Sequence, residues 1–105
     1  MNIKKSPKKR ETPEELLDAL VKGHLTRKFG IQFQNMKSSN LWFGGYDQKH
    51  ETLYMTFRNH NQEPQVVYTY QVLPLEWQEL TNAESRGRYF NANLKERLTG
   101  KLKYK

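Results

Sequence analysis

Apolar positions recur along this chain with two different periods, and the switches between them lay out its elements. Leu16, Leu17, Leu20, Val21, His24 and Leu25 form a stripe at three- and four-residue spacing, with Glu14, Asp18, Lys22 and Arg27 off it or at its edges. That spacing predicts an amphipathic helix. Its start is signalled by Thr12-Pro13-Glu14-Glu15: the Thr12 hydroxyl caps free N–H groups, Pro13 fits the first position, and Glu15 reaches back as in a capping box. The helix is expected to run to about Arg27, with Gly23 a weak point, and its stripe either packs on the rest of the fold or meets a partner.

From Gly30 the period falls to two. Ile31 and Phe33 alternate with Gln32 and Gln34, a short strand or a linker laid on the core. Residues 41–45, 52–58 and 65–72 read as strands. Leu53, Met55 and Phe57 share one face of the second strand, opposite Tyr54, Thr56 and Arg58; Val66, Tyr68, Tyr70 and Val72 share one face of the third. The connections 46–51 and 59–64 are short enough for antiparallel hairpins. After Leu73-Pro74 the helical period returns, with Trp77, Leu80 and Ala83, then a break at Gly87, then Phe90, Leu94 and Leu98 at spacing four. The expected fold class is α+β: a three-stranded antiparallel meander packed on one face by helices, with an extra N-terminal helix.

Within this layout Ser38-Ser39-Asn40-Leu41, Gly45-Tyr46-Asp47, Leu53 and Phe57, Tyr68-x-Tyr70, Val72 and Pro74, and Ala83-x-Ser85-x-Gly87-x-Tyr89-Phe90-Asn91 with Leu94 follow one another in order. The series resembles the KTSC domain, a module named from the C-terminus of some lysyl-tRNA synthetases and also found as a stand-alone protein. The resemblance covers residues 37–98. It implies a small α+β module with an expectation of RNA binding, and no catalytic residues to carry over. Three features depart from the pattern: the turn 58–65 is longer than the family's tight glycine turn, Gly44 stands where an aliphatic residue is more usual, and both basic flanks lie outside it.

Charge changes the picture next. The net charge is +7 on 105 residues, and it is unevenly placed. Residues 1–11 carry five Lys or Arg against one Glu, 12–36 are balanced, 37–84 carry three bases against six acids, and 85–105 carry seven bases against one acid. An acidic centre with basic ends points to the ends as contact surfaces for nucleic acid or for an acidic protein surface. The chain divides accordingly into a basic tail (1–11, either a phosphate-binding arm or a solvated terminus), a helix and connector (12–36), the KTSC-like domain (37–98) and a basic C-terminal tail (99–105). No cysteine, no apolar run of membrane-spanning length and no secretory pattern after Met1 lead us to expect a cytoplasmic protein with no membrane role.

Candidate chemistry is thin. His24, His50 and His60 lack a metal-ligand spacing, Glu76 and Glu79 have no evident pocket, Ser38 and Ser39 no triad setting, and Gly44-Gly45 no phosphate-loop context. No catalytic, cofactor or metal site is expected, and no enzyme activity. Basic and aromatic residues do interleave as a nucleic-acid binder requires. Taking Phe90, Leu94 and Leu98 as buried puts Arg88 and Lys95 on the outer side of the last helix, with Arg97 at its border, Arg86 in the preceding turn and Lys101 in the tail. Trp42 and Tyr54 are candidates for base stacking on an exposed face; Tyr68 and Tyr70 are either core or a stacking pair. The expected function is binding of nucleic acid, RNA in preference to DNA, through phosphates. The alternative is a module docking on an acidic surface of a larger enzyme or nucleoprotein complex. The oligomeric state is open.

Overall fold

The computed structural model describes residues 12–58 and 66–104. The basic segment 1–11, most of the turn 58–65 with His60, and Lys105 lie outside the described residues, and so does the proposed phosphate-binding arm.

Helix α1 (Pro13–Phe29) begins as its sequence dictates. The Thr12 hydroxyl accepts from the Glu15 N–H at 3.1 Å, and the Glu15 carboxylate accepts from the Thr12 N–H at 2.9 Å, a reciprocal capping box. The helix runs two residues beyond Arg27 and ends at Gly30, whose φ of 70° suits a residue without a Cβ.

Five strands follow in one antiparallel sheet of order β1-β2-β3-β4-β5: β1 (Phe33–Asn35), β2 (Leu41–Asp47), β3 (Thr52–Phe57), β4 (Val66–Gln71) and β5 (Leu98–Lys103). The α+β class and the central meander match the expectation, while the sheet gains a strand at each edge. At one edge, residues 33–35 take the strand option. At the other, a correction is needed: the helix predicted through Leu98 stops earlier. Helix α2 (Pro74–Asn82) leads to α3 (Arg86–Asn93), and a single 3-10 turn at Lys95–Arg97 turns the chain into β5. Leu98 is exposed and pairs with Tyr70. Pairing β4 satisfies a row of backbone groups that an edge strand would leave open, a gain that outweighs a helical spacing shared by only three residues. Residues 98–103, read as the end of a helix and a tail, are therefore part of the sheet.

Both faces of the sheet are covered, the second by α1, whose stripe in part takes the packing option. Leu53, Met55, Tyr70 and Val72 face α2 and α3 and form one core with Leu80, Phe90 and Leu94. On the opposite face Phe33, Trp42, Phe43 and Val67 form a second core with Leu25 of α1 and Tyr104. A bulge builds that second core: the register steps from Leu41 opposite Phe57 to Gly44 opposite Met55, so β2 carries one extra residue. The extra residue brings Trp42 and Phe43, consecutive in sequence, to one face. Gly44 then points into the first core, where an added Cβ would lie 2.8 Å from Met36 Sδ. The Met36 side chain occupies the room that an aliphatic side chain at 44 would need.

Candidate functional site

The two family-like segments that lack chemistry of their own, 38–41 and 83–91, meet in space. A cleft of about 620 Å³ lies between the loop 36–40 and the start of α3, lined by Lys37, Ser38, Ser39 and Asn40 on one side and by residues 83–88 and Asn91 on the other. Its loop is held tightly. Ser38 Oγ accepts from the N–H groups of Asn40 and Leu41, both at 3.1 Å, and Arg58 Nε donates to the Ser38 carbonyl at 2.7 Å. Asn35 Oδ1 accepts from the Lys37 N–H at 2.8 Å, which holds Lys37 at a φ of 53°. A left-handed backbone on a residue with a Cβ costs of order 1 kcal/mol and marks a position set by its surroundings.

On the facing side the Ser85 hydroxyl caps α3 by accepting from the Arg88 N–H at 3.2 Å. A Cβ at Gly87 would come 3.2 Å from Ser38 Oγ, so this glycine lets the helix approach the loop. The Arg86 guanidinium ties the two sides together, donating to the Met36 carbonyl at 3.2 Å and the Thr81 carbonyl at 2.7 Å.

The predicted contact residues divide into three groups. Arg86 and Arg97 are structural ties. Arg97 donates through both Nη atoms to the two carboxylate oxygens of Glu76, each at 2.7 Å, and locks the 3-10 turn to α2. Both guanidiniums are part-exposed, and each has its hydrogen bonds directed to partners within the chain. Arg88 and Lys95 form the second group: both are exposed, Arg88 in the first turn of α3 and Lys95 at the start of the 3-10 turn that follows it. Among the described residues neither has a carboxylate partner. Lys101 sits in β5 opposite Tyr68, on the sheet face that carries α3.

The aromatic residues are the third group, and here the stacking expectation is corrected. Trp42 is 8% exposed beneath α1, with its Nε1–H donating to Asp18 Oδ1 at 3.1 Å. Tyr54 packs against Phe29 and Phe33 on the same covered face. Tyr70 is core, 5% exposed and edge-on to Phe90, and its burial pushes the phenol above its ordinary pKa. Tyr68 is half-buried with its ring edge-to-face on Phe57. Strand alternation put Trp42 and Tyr54 on the right face; the face is covered because α1 lies across it.

Lys37, Ser39, Asn40 and Asn91 were not singled out from sequence as contact residues. The signal available was the pair of family-like segments some 45 residues apart, but only the fold brings Gly87 to Ser38. Nearby, Tyr89 donates to Glu79 Oε1 at 2.6 Å, and its pKa is pushed up to about 12 by burial and by that carboxylate. Among the described residues no three His, Asp or Glu side chains gather as a metal site, and no helix is long and apolar enough to cross a membrane.

The Glu76–Arg97 pair carries a pH dependence. Hydrogen bonds from Arg97 hold the Glu76 carboxyl below its ordinary 4.5 despite partial burial. The unfolded chain therefore takes up this proton at higher pH than the folded one, so the stabilisation is complete above 4.5 and is lost as pH falls through the lowered folded value. Glu76→Gln is expected to lower stability at pH 7 by about 1 kcal/mol, given that Arg97 is partly solvated. In urea unfolding the gap to the parent should close as the solution is acidified below 4.5; a gap that persists unchanged would show that the ion pair is not its source.

A five-stranded antiparallel sheet, with α2 and α3 on one face and a basic cleft at the start of α3, defines a small α+β module. The model of the KTSC domain matches residues 37–97, more than half of the chain. The chain belongs to the KTSC domain family. A crystal structure of a KTSC domain protein from Yersinia pestis is similar, at 28% identity and a TM-score of 0.57, covering 70% of this chain and 96% of that one. No curated protein matches. Helix α1 lies outside the family-matched residues.

Proposed function

We propose that this protein binds nucleic acid, RNA in preference to DNA, by seating backbone phosphates on the cleft between the loop 36–40 and α3, without catalysing a reaction on them. The observation that carries the reading is the cleft's composition. Lys37 and Arg88 line it, with the hydroxyl and amide groups of Ser39, Asn40 and Asn91 between them, and the exposed Lys95 adds a further positive charge just beyond the end of α3. Cationic side chains take phosphate oxygens, while hydroxyl and amide groups can both donate to and accept from a ribose 2′-OH. At about 620 Å³ the cleft has the size of a small-ligand site, enough for one or two nucleotide units. Glu84 also lines it and sets a limit on how closely a phosphate approaches that end.

The base-stacking part of the expectation is not retained, because Trp42 and Tyr70 are core and Tyr54 and Tyr68 are half-buried with their rings packed on neighbouring aromatics. Affinity then rests on phosphates and depends on salt. With Lys37, Arg88 and Lys95 engaged, the slope of log K against log salt on single-stranded RNA is expected near −2, a loss of roughly fifteen-fold between 50 and 200 mM. A fluorescence-anisotropy titration on a short RNA measures it directly. Absence of binding at low salt, or a slope near zero, would overturn the reading. The competing reading, docking on an acidic protein surface, predicts a defined partner retained from lysate after nuclease treatment.

A further inference from the structure

Helix α1 meets the sheet along one side only. Val21, Leu25 and Phe29 pack into the second core, while Leu16, Leu17 and Leu20 are 50, 53 and 70% exposed. At 100° per residue Leu20 lies about 140° around the helix from the fully buried Leu25, with Leu16 and Leu17 within about 60° of Leu20. Three leucines thus form one apolar patch over little more than one turn, facing away from the protein's own core.

From this patch we infer that a second copy of this chain docks there, through an antiparallel crossing of α1 on α1 centred near Leu20. Three observations select a second copy. Gly23, one turn along from Leu20, weakens a helix relative to alanine, yet nothing among the described residues requires it: a Cβ there would meet only the tip of Arg27, at 3.4 Å. An antiparallel crossing centred on Leu20 sets Leu17 of one copy against Gly23 of the other, and the missing side chain lets the two helices approach.

Charge supplies the second observation. The first turn of α1 carries Glu14 and Glu15, and its last turn carries Arg27 and Lys28. An antiparallel pair brings acidic ends to basic ends twice over, whereas a parallel pair stacks like on like. The third concerns self-repulsion. A chain of net charge +7 resists association with itself, but residues 12–36 carry three acids and three bases, so contact here avoids the basic surfaces. Since α1 lies outside the family-matched residues, this contact belongs to the chain's own addition to the KTSC domain and stands apart from the phosphate reading.

Sedimentation equilibrium of the full chain tests the inference. The average mass should rise from 12.6 kDa at low concentration toward twice that value, with dissociation in the range of roughly 1–100 µM, as suits a contact smaller than a standard interface. Leu20→Glu should stay at the monomer mass at every concentration while keeping its helix content and unfolding midpoint, because Leu20 makes no core contact. The chain has no cysteine, so Leu20→Cys under mild oxidation should form a disulfide-linked dimer much faster than Lys22→Cys, exposed on another side of α1. A parent protein that stays monomeric to about 500 µM, a Leu20→Glu variant that associates as the parent does, or equal cross-linking of the two cysteine variants would overturn it.

Discussion

Replacing Phe90 by alanine is expected to lower the stability of this protein by about 3–5 kcal/mol, the range for removing a fully packed aromatic side chain and leaving its cavity. Phe90 is 2% exposed and is the residue through which α3 enters the first core. Its ring stands edge-to-face on Tyr70 at 5.0 Å between centroids and on Phe57 at 5.7 Å, so one truncation removes two aromatic contacts as well as apolar area. A domain of this size holds of order 5–10 kcal/mol in total, and the loss would leave a substantial unfolded fraction near body temperature. Urea unfolding monitored by tryptophan fluorescence measures it. Phe90→Leu should cost only about 1–2 kcal/mol, because it keeps most of the volume. A Phe90→Ala loss below about 1 kcal/mol would mean that α3 is not seated on the sheet as described, and the cleft built by that seating would lose its basis.

Reversing the two cleft charges, Lys37→Glu together with Arg88→Glu, is expected to weaken RNA binding by roughly 100-fold or more at low salt. Two charge-assisted contacts are worth about 1.5–3 kcal/mol each, and each 1.4 kcal/mol is a factor of ten. The salt slope should also flatten, because two of three phosphate contacts are gone. Both side chains are exposed, so the unfolding midpoint should stay close to that of the parent. Lys22→Glu with Lys49→Glu changes the net charge by the same amount away from the cleft and serves as the control. If the control pair loses as much affinity as the cleft pair, binding depends on total charge and the cleft is not the site. Arg86 is deliberately left in place: its guanidinium holds the Met36 and Thr81 carbonyls, and removing it would confuse a loss of ligand with a loss of the cleft itself.

Local signals were legible wherever the residues that decide a structure lie close together in the chain. The capping box of Thr12 and Glu15, the Pro13 and Pro74 helix starts and the alternation of Leu53, Met55 and Phe57 each act within a few residues, and each stands in the fold as read. The resemblance carried by the ordered series from Ser38 to Leu94 likewise lies in the chain itself. Arg88 and Lys95 are both exposed, but the single helix from which their spacing was read ends at Asn93, so Lys95 stands in the turn beyond it.

What only the tertiary structure decided concerns partners distant in sequence. Whether Leu98 continued a helix or opened a strand depended on the open edge of β4, about thirty residues earlier, whose backbone groups needed pairing. Whether Trp42 and Tyr54 met solvent depended on α1, which covers the face they were correctly assigned to. Arg97 pairs with Glu76 and Arg86 with two carbonyls while both stay part-exposed, pairings set by where the chain returns. The chain by itself determined which groups could bind, through residue type and period; the fold determined how much of each is left to bind, because a charge or ring with an internal partner at contact distance must give up that contact to meet anything outside.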